Sequence, residues 1–177
     1  MTRSILPVIL IIVLFFTISS CRGGENMKVK SVFKDNGFMP EKYTCMGDNI
    51  NPPLVISNIP KGSKTIAIIM DDPDAPVGTF VHWVLWNLKV AGDEVRVEEG
   101  LSRKASCCEQ GINDFGRIGY DGPCPPRGHG IHHYHIKVYA LDMEPNLPSK
   151  ASKRDLENAM KGHILSQVEL IGLFERK

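Results

Sequence analysis

The hydrophobic pattern along the chain is mostly that of β-strands. Residues 65–70 (TIAIIM) form an unbroken apolar run rich in β-branched side chains, which predicts a strand buried on both faces. Residues 80–88 (FVHWVLWNL) are rich in Val and Trp and predict a second strand directly after it. Residues 134–141 (YHIKVYAL) alternate between polar and apolar, which is typical of a strand with one face against a core. Further strand candidates are residues 28–33, Leu54–Ser57 and residues 164–174.

A helical pattern occurs near the C-terminus, at residues 150–162. Apolar side chains recur there at helical spacing, Ser149 or Ser152 can cap the N-terminus, and Gly162 is a natural stop. Residues 93–133 are rich in Gly, Pro and polar side chains and predict long loops, which in a compact domain usually carry function. We therefore expect a mainly β fold with one or two helices near the C-terminus.

The N-terminus has the composition of an export signal. Arg3 precedes the apolar run ILPVILIIVLFFTI, which is shorter than the roughly 20 residues that a membrane-spanning helix needs. The run ends in Ile18-Ser19-Ser20-Cys21, which matches the bacterial lipobox, where the Cys thiol receives a diacylglycerol and the signal is cut just before it. We therefore expect residues 1–20 to be a lipoprotein signal peptide. The alternative is an ordinary secretory signal in which Cys21 is incidental.

Lipidation of Cys21 would anchor the protein in the cell envelope, on the periplasmic or surface side, and in the outer membrane if the cell is Gram-negative. Residues 21–27 would then be the lipidated Cys and a short tether, and residues 28–177 a single domain. Removing residues 1–20 takes away Arg3 and no acidic residue, which leaves 20 basic and 20 acidic side chains. Such a neutral chain argues against nucleic acid as a partner, because a phosphate backbone requires a basic excess.

Four cysteines remain outside the lipobox: Cys45, Cys107, Cys108 and Cys124. In an exported protein we expect at least one disulfide among them, and four cysteines allow three pairings that the sequence does not separate. A bond between the neighbours Cys107 and Cys108 would require a strained ring and is disfavoured. No C-x-x-C spacing is present, which argues against a zinc site.

Three polar clusters interrupt the predicted strands. The first is Asp71-Asp72-Pro73-Asp74-Ala75-Pro76, where two prolines hold several carboxylates in a tight turn. The second is His82-Trp83 in the next strand, and the third is Gly122-Pro123-Cys124-Pro125-Pro126, which leads to several histidines and Tyr134. Each cluster alone is a weak signal, because a strand histidine is more often structural than functional.

Taken in order, the clusters resemble the phosphatidylethanolamine-binding protein family, also called Raf-kinase-inhibitor-like proteins, and in particular its bacterial branch. The resemblance runs from about Phe38 to Phe174. The segments that carry it are YTCMGDNINPPL at 43–54, DDPDAPVGTFVHWVLWNL at 71–88, GINDFGRIGYDGPCPPRG at 111–128, HHYHIKVYALD at 132–142 and AMKGHILSQVELIG at 159–172. It implies a large central β-sheet packed on a smaller sheet.

The resemblance also implies a non-catalytic pocket that binds small phosphate-bearing anions or phospholipid headgroups, with no cofactor. The residues it places at that ligand site are Asp72, His82, Gly122, Pro123, Cys124, Pro125, His132 and Tyr134. The histidines, the Tyr134 hydroxyl and the loop amides would donate hydrogen bonds to the anion. Asp72 would orient a histidine or receive a ligand ammonium group.

Two further expectations follow from the family-matching loops. Cys45 and Cys124 both lie in such loops, which makes their pairing the favoured disulfide. The Ala75–Pro76 bond is a candidate cis peptide, because such bonds occur in turns at sites. The chain departs from the family pattern at His133, where the family has an arginine, and at Ile136, where it has an aromatic residue. An arginine brace of the loop would be replaced only in part by His133.

Three other functions are weighed against binding. The segment HGIHHYH suggests a metal site, but no carboxylate or Cys lies at the usual ligand spacing. Asp72, His82 and His132 could form a hydrolase site, but no G-x-S-x-G nucleophile motif is present. A protease or kinase inhibitor that acts through protein contacts near the pocket is the third alternative, and it would require an apolar patch beside the pocket.

Overall fold

The computed structural model describes residues 26–177, which form nine β-strands and one α-helix. The predicted signal peptide and Cys21 lie outside the described residues. The strands are β1 Lys28–Lys30, β2 Gly37–Phe38, β3 Leu54–Ser57, β4 Thr65–Asp72, β5 Phe80–Lys89, β6 Glu94–Val97, β7 Glu109–Gln110, β8 Ile131–Leu141 and β9 Ile164–Glu175, and the helix is α1 Lys153–Met160. A short 3-10 helix, Glu41–Tyr43, lies between β2 and β3.

The strands form a large sheet and a small one, as the sequence predicts. The large sheet has six strands in the order β2-β9-β8-β4-β5-β7, and the small sheet has three in the order β1-β3-β6. β4 lies between β8 and β5 and is antiparallel to both, and all eight of its residues are buried. Its unbroken apolar sequence is explained by this central position, since neither face of the strand meets water.

Successive residues of β4 point to two different cores. Ile66, Ile68 and Met70 pack with the small sheet in the main hydrophobic core. Ala67 and Ile69 face the opposite side, where a second cluster includes Leu156 and Met160 of α1. The large sheet is therefore covered by the small sheet on one face and by the helix on part of the other.

Helix α1 begins at Ser152, one of the two predicted caps. The Ser152 hydroxyl accepts a hydrogen bond from the Asp155 N–H, and the Asp155 carboxylate accepts one from the Ser152 N–H, so the two residues form a capping box. The helix ends at Met160, before Gly162 adopts a positive φ of 79°. It is shorter at both ends than the predicted span of 150–162.

Several predicted boundaries need correction. The first strand ends at Lys30 and not at residue 33, because the chain then turns through Asn36, whose φ is 55°. β8 begins at Ile131, three residues before the predicted start. The predicted loop at 93–133 contains the short strands β6 and β7, and β2 was not predicted. These three strands have two to four residues, too few to give a periodic pattern.

The disulfide predictions are confirmed. Cys45 and Cys124 form a disulfide, with Cα atoms 5.4 Å apart. Cys107 and Cys108 are both free thiols. The peptide-bond prediction is wrong: Ala75–Pro76 is trans, and residues 26–177 contain no cis peptide bond. The trans form is intrinsically favoured even before proline. The turn after β4 is held by hydrogen bonds from backbone N–H groups to the carboxylates of Asp72 and Asp74.

The start of the domain differs slightly from the predicted boundary at residue 28. Met27, assigned to the tether, is buried in the main core. Within the described residues no helix is long and apolar enough to cross a membrane.

Candidate functional site

Strands β4, β5 and β8 bring three of the predicted polar side chains to one end of the large sheet. Asp72 is the last residue of β4, His82 is the third of β5, and His132 is the second of β8. Along β8 the residues alternate, with His132 and Tyr134 buried and His133 exposed. The two-residue period of a strand therefore turns His132 and Tyr134 toward the same interior face.

Asp72 and His132 form a buried pair. His132 Nδ1 lies 2.7 Å from Asp72 Oδ2, and the two side chains are 1% and 4% exposed. Asp72 Oδ1 accepts a second hydrogen bond, from the Asp74 backbone N–H at 2.8 Å. The carboxylate is an acceptor in both contacts, so Nδ1 of His132 carries a proton. This fixes the ring and leaves Nε2 as the nitrogen that can contact other groups.

The other nitrogen of His132 meets a residue that sequence reasoning did not place in the site. His129 Nδ1 lies 2.7 Å from His132 Nε2, and the two ring centroids are 5.0 Å apart. His129 is exposed on the loop before β8, between Gly128 and Gly130, both of which have positive φ. Asp72, His132 and His129 thus form a hydrogen-bonded chain from the interior to the surface.

His82 is held as a neutral ring by its surroundings. Its Nδ1 lies 2.7 Å from the backbone oxygen of Asp121, which only accepts hydrogen bonds, so Nδ1 carries the proton. Burial lowers the pKa of His82 below its usual 6.5, more than the nearby Asp121 and Asp72 raise it. Nε2 of the neutral ring is then a hydrogen-bond acceptor, whereas the sequence led us to expect His82 as a donor to the anion.

The position of Asp121 is fixed by a charged network. Its buried carboxylate contacts the guanidinium groups of Arg103 and Arg117, with the closest atoms 3.2 Å and 2.8 Å away. It also accepts hydrogen bonds from the side-chain amides of Asn49 and Asn113. Because the carbonyl of the same residue holds His82, this network orients the His82 ring.

Tyr134 contributes a buried hydroxyl that lies near the Asp72 carboxylate. Its ring is fully buried and meets the ring of His82 edge-on, with centroids 5.2 Å apart. Among residues 26–177 no atom lies within hydrogen-bond distance and geometry of its Oη. Burial and the nearby Asp72 raise the pKa of Tyr134 well above its usual 10. The hydroxyl therefore stays protonated, as a buried donor that has the Asp72 carboxylate nearby but makes no hydrogen bond of good geometry to it.

These side chains line a cavity of about 280 Å³. Six of the eight predicted ligand residues line it: Asp72, His82, Cys124, Pro125, His132 and Tyr134. The rest of the wall is apolar and comprises Ala75, Pro76, Val77, Phe80, Phe115 and Pro126. The cavity thus has a polar end, formed by the two histidines, the aspartate and the tyrosine, and an apolar mouth.

Gly122 and Pro123 lie behind the cavity wall. The Gly122 N–H donates to Asn49 Oδ1 at 2.7 Å, and the Pro123 carbonyl accepts from the Cys45 N–H at 3.0 Å. A Cβ on residue 122 would lie 2.0 Å from the Tyr43 carbonyl oxygen, so only glycine fits there. Since proline has no N–H, Cys124 carries the remaining backbone donor of the turn from 122 to 125.

His133, the residue in place of the family arginine, braces the turn after β4. Its backbone N–H donates to Asp74 Oδ2 at 2.8 Å, and its Nδ1 lies 2.7 Å from the same oxygen. Burial acts to raise the pKa of Asp74, but the hydrogen bonds from His133 lower it overall. His133 therefore ties β8 to the turn through one carboxylate oxygen, without the two parallel bonds of an arginine.

Sequence reasoning missed the contributions of Phe80, Phe115, Asp121 and His129 to this site. Phe115 comes from a loop and packs on Phe80 and His82, with ring centroids 4.8 Å and 5.5 Å away. The motif GINDFGRIGYDG, which contains both Phe115 and Asp121, was the available signal. Within residues 26–177 no group of three or more His, Cys, Asp or Glu side chains is arranged to hold a metal ion.

Comparisons with known proteins agree on one family. The family profile described as phosphatidylethanolamine-binding protein matches residues 29–175. A UPF0098 protein of Pyrococcus horikoshii is 49% identical over 183 residues, which cover 99% of this chain and 91% of that protein.

Two solved bacterial structures share the fold. A phosphatidylethanolamine-binding protein homologue from Chlamydia trachomatis has a TM-score of 0.78 at 35% identity. YbcL of E. coli, described as a member of the mammalian PEBP family, has a TM-score of 0.77 at 28% identity. Each alignment covers 86% of this chain and 99% of the other.

Proposed function

The chain belongs to the phosphatidylethanolamine-binding protein family, and from that premise we propose that its cavity binds a small phosphate-bearing anion without chemical turnover. The anion is either free or the headgroup of a phospholipid, since both present the same phosphate oxygens. The bacterial relatives fit the predicted branch of the family.

The observation that carries this proposal is the Tyr134 hydroxyl, a buried donor in the cavity wall that makes no hydrogen bond of good geometry within residues 26–177. Leaving a buried hydroxyl unsatisfied costs about 1–3 kcal/mol, so this donor favours a ligand with a better-placed acceptor than the nearby Asp72 carboxylate. Phosphate oxygens are strong acceptors, and the hydrogen bond to a charged oxygen is stronger than one to a neutral group. Cys124 lines the same wall, and we expect its backbone N–H to be a second donor to the anion.

His82 sets a requirement on the ligand. In its neutral form the ring has only Nε2, a hydrogen-bond acceptor, left for the cavity. A ligand therefore satisfies His82 if it carries an O–H or N–H donor. A monoprotonated phosphate fits this requirement, and so does an ethanolamine ammonium group. A fully deprotonated anion would bind only if His82 takes up a proton, because an opposite charge favours its cationic form.

The absence of turnover is supported by the composition of the wall. Asp72 and His132 resemble the carboxylate–histidine dyad that acts as the general base of a hydrolase. However, His132 Nε2, the nitrogen that does not contact Asp72, is hydrogen-bonded to His129. The described lining contains no Ser, Thr or Lys, and its one cysteine, Cys124, is in a disulfide. The wall therefore offers the dyad no activated nucleophile.

Calorimetry tests the binding proposal. Inorganic phosphate and phosphoethanolamine are titrated into the wild type, Asp72→Ala and His132→Ala, with His135→Ala on the outer face of β8 as the matched control. We expect a loss of about tenfold or more in both site variants and no change in the control. Equal affinities in all four proteins would contradict the assignment. Hydrolysis of a phosphoester that His132→Ala abolishes would place the protein among the enzymes.

Export and lipidation at Cys21 are part of the same proposal. They are supported by the lipobox Ile18-Ser19-Ser20-Cys21 and by the Cys45–Cys124 disulfide, since such bonds persist in oxidising compartments. We expect the wild type in the membrane fraction with an acyl mass on Cys21, and Cys21→Ser released from it. Identical partitioning of the two proteins would contradict lipid anchoring.

One observation favours the inhibitor alternative, in which a protease or kinase is the partner. The mouth of the cavity is apolar and partly open to solvent: Val77 is 84% exposed and Phe115 is 39% exposed. An exposed apolar rim beside a pocket is typical of a contact surface. If the rim binds an enzyme, Val77→Asp should abolish inhibition in a panel of proteases and kinases while phosphate affinity stays unchanged. Lack of inhibition by the wild type would exclude this alternative for that panel.

A further inference from the structure

Cys107 and Cys108 lie in the turn directly before β7, and neither belongs to the Cys45–Cys124 disulfide. Neighbouring side chains on an extended chain point to opposite sides. The turn at this place instead brings the two sulfur atoms to 3.5 Å from each other. Both thiols are free. The fold therefore holds two adjacent thiols in contact on one side of the backbone.

The two thiols differ in their surroundings. Cys107 is exposed, whereas Cys108 is half-buried and packs against the main core. Burial, together with the neighbouring Cys107 and Glu109, raises the pKa of Cys108 to about 12. Both residues line an open groove with Lys89 and Glu144. An oxidant in solution thus reaches Cys107 first, with a second thiol directly behind it.

We propose that Cys107 and Cys108 form a redox-modification site, which a low-molecular-weight disulfide oxidises reversibly to a vicinal disulfide. Solvent-accessible cysteines next to a resolving cysteine are the arrangement found in redox-sensitive sites. The site is independent of the anion cavity and of its proposed ligand.

The reaction is two successive thiol–disulfide exchanges. The Cys107 thiolate attacks one sulfur of the small disulfide, whose S–S bond breaks, and the first small thiol leaves with the proton that Cys107 lost. The Cys108 thiol then gives its proton to solvent, and its thiolate attacks the Cys107 sulfur of the mixed disulfide; the second small thiol leaves as a thiolate and takes up a proton from solvent. The pair has lost two electrons and two protons, and the small disulfide has become two thiols.

The product is readily reduced again. A disulfide between neighbours closes a strained ring, and strained, exposed disulfides are the labile ones. The Cys45–Cys124 bond joins two half-buried cysteines 79 positions apart, and we expect it to remain oxidised under the same conditions. The chain would therefore carry one stable disulfide, Cys45–Cys124, and a second one, Cys107–Cys108, that forms or breaks with the ratio of thiol to disulfide in its surroundings.

Mass spectrometry of the full chain tests this site. The wild type, Cys107→Ser and Cys108→Ser are incubated with oxidised glutathione, and intact mass and peptide maps are recorded. We expect the wild type to lose two hydrogen masses, to carry no glutathione and to regain both thiols with dithiothreitol. Cys108→Ser should stop with one glutathione on Cys107, in an adduct that lasts about tenfold longer or more, because the resolving thiol is missing. Cys107→Ser should react more slowly than Cys108→Ser, since its remaining thiol is half-buried.

Three results would overturn the proposal. One is a wild type that accumulates glutathione on Cys107 or Cys108 without closing the ring. Another is a wild type that stays unmodified while Cys108→Ser forms its adduct. The third is an oxidised wild type whose new bond joins Cys107 or Cys108 to Cys45 or Cys124.

Discussion

His132 Nδ1 lies 2.7 Å from Asp72 Oδ2, and this contact joins the ends of β8 and β4 inside the protein. The two residues are 60 positions apart in the chain. A buried pair of this kind stabilises the fold only while both partners are present, because each leaves an unsatisfied polar group when the other is removed.

The first prediction concerns this pair. His132→Ala should lower the free energy of unfolding by about 3–5 kcal/mol, since it leaves the Asp72 carboxylate buried without its partner. The double variant Asp72→Ala/His132→Ala should lose less than the sum of the two single variants. Urea unfolding of the four proteins measures both quantities. Strict additivity would mean that the contact contributes nothing to stability.

The second prediction concerns stability and pH. Burial holds the pKa of His82 below the 6.5 of the unfolded chain, so the unfolded state binds more protons between the two values. The contribution of His82 to stability is therefore complete above pH 6.5 and decreases as the pH falls below it. We expect the wild type to lose more stability than His82→Gln when the pH falls from about 7.5 to about 5.5. Since the other histidines are the same in both proteins, a parallel loss would contradict the assignment.

The third prediction concerns the charge state of the ligand. Sulfate has the shape of phosphate but no proton, so it can bind the polar end of the cavity only when His82 is protonated. Sulfate affinity should therefore increase as the pH falls below about 6.5, and binding should take up a proton. Calorimetry in two buffers with different ionisation enthalpies measures the uptake. Sulfate binding without pH dependence would show that His82 does not face the anion.

The sequence predicted the large features of this site and missed its hydrogen-bond directions. The alternation predicted for residues 134–141 is confirmed and continues back to Ile131, so that the same two-residue period separates His132 from His133. The acceptor state of His82 could not be predicted, because it depends on the carbonyl of Asp121, 39 residues away. The bond between His129 and His132 likewise depends on how the loop before β8 folds back.

The favoured disulfide and the expected cis peptide also differ in how far the sequence could predict them. The pairing of Cys45 with Cys124 followed from their positions in two family-matching loops, which the fold brings together. The isomer of Ala75–Pro76 is decided by how the turn packs, and there the carboxylates of Asp72 and Asp74 bond to backbone N–H groups.

The fourth prediction concerns the Cys45–Cys124 bond. It joins residues 79 positions apart, so its removal should lower the free energy of unfolding by about 2–5 kcal/mol. Phosphate affinity should fall as well, because Cys124 lines the cavity. Denaturant unfolding and calorimetry of Cys45→Ala/Cys124→Ala test both effects, with Cys107→Ser/Cys108→Ser as the matched control. Equal losses in the two double variants would contradict a specific role for this disulfide.

The fifth prediction tests the central claim most directly, through Tyr134→Phe. The substitution removes the Tyr134 hydroxyl, which makes no hydrogen bond of good geometry within residues 26–177, and keeps the ring that packs on His82. Without a ligand, the variant should lose at most about 1 kcal/mol of stability, since only the weak contact with Asp72 is lost. With inorganic phosphate, its affinity measured by calorimetry should be about tenfold to a hundredfold lower, because the donor to the anion is gone. Unchanged phosphate affinity in Tyr134→Phe would contradict the account.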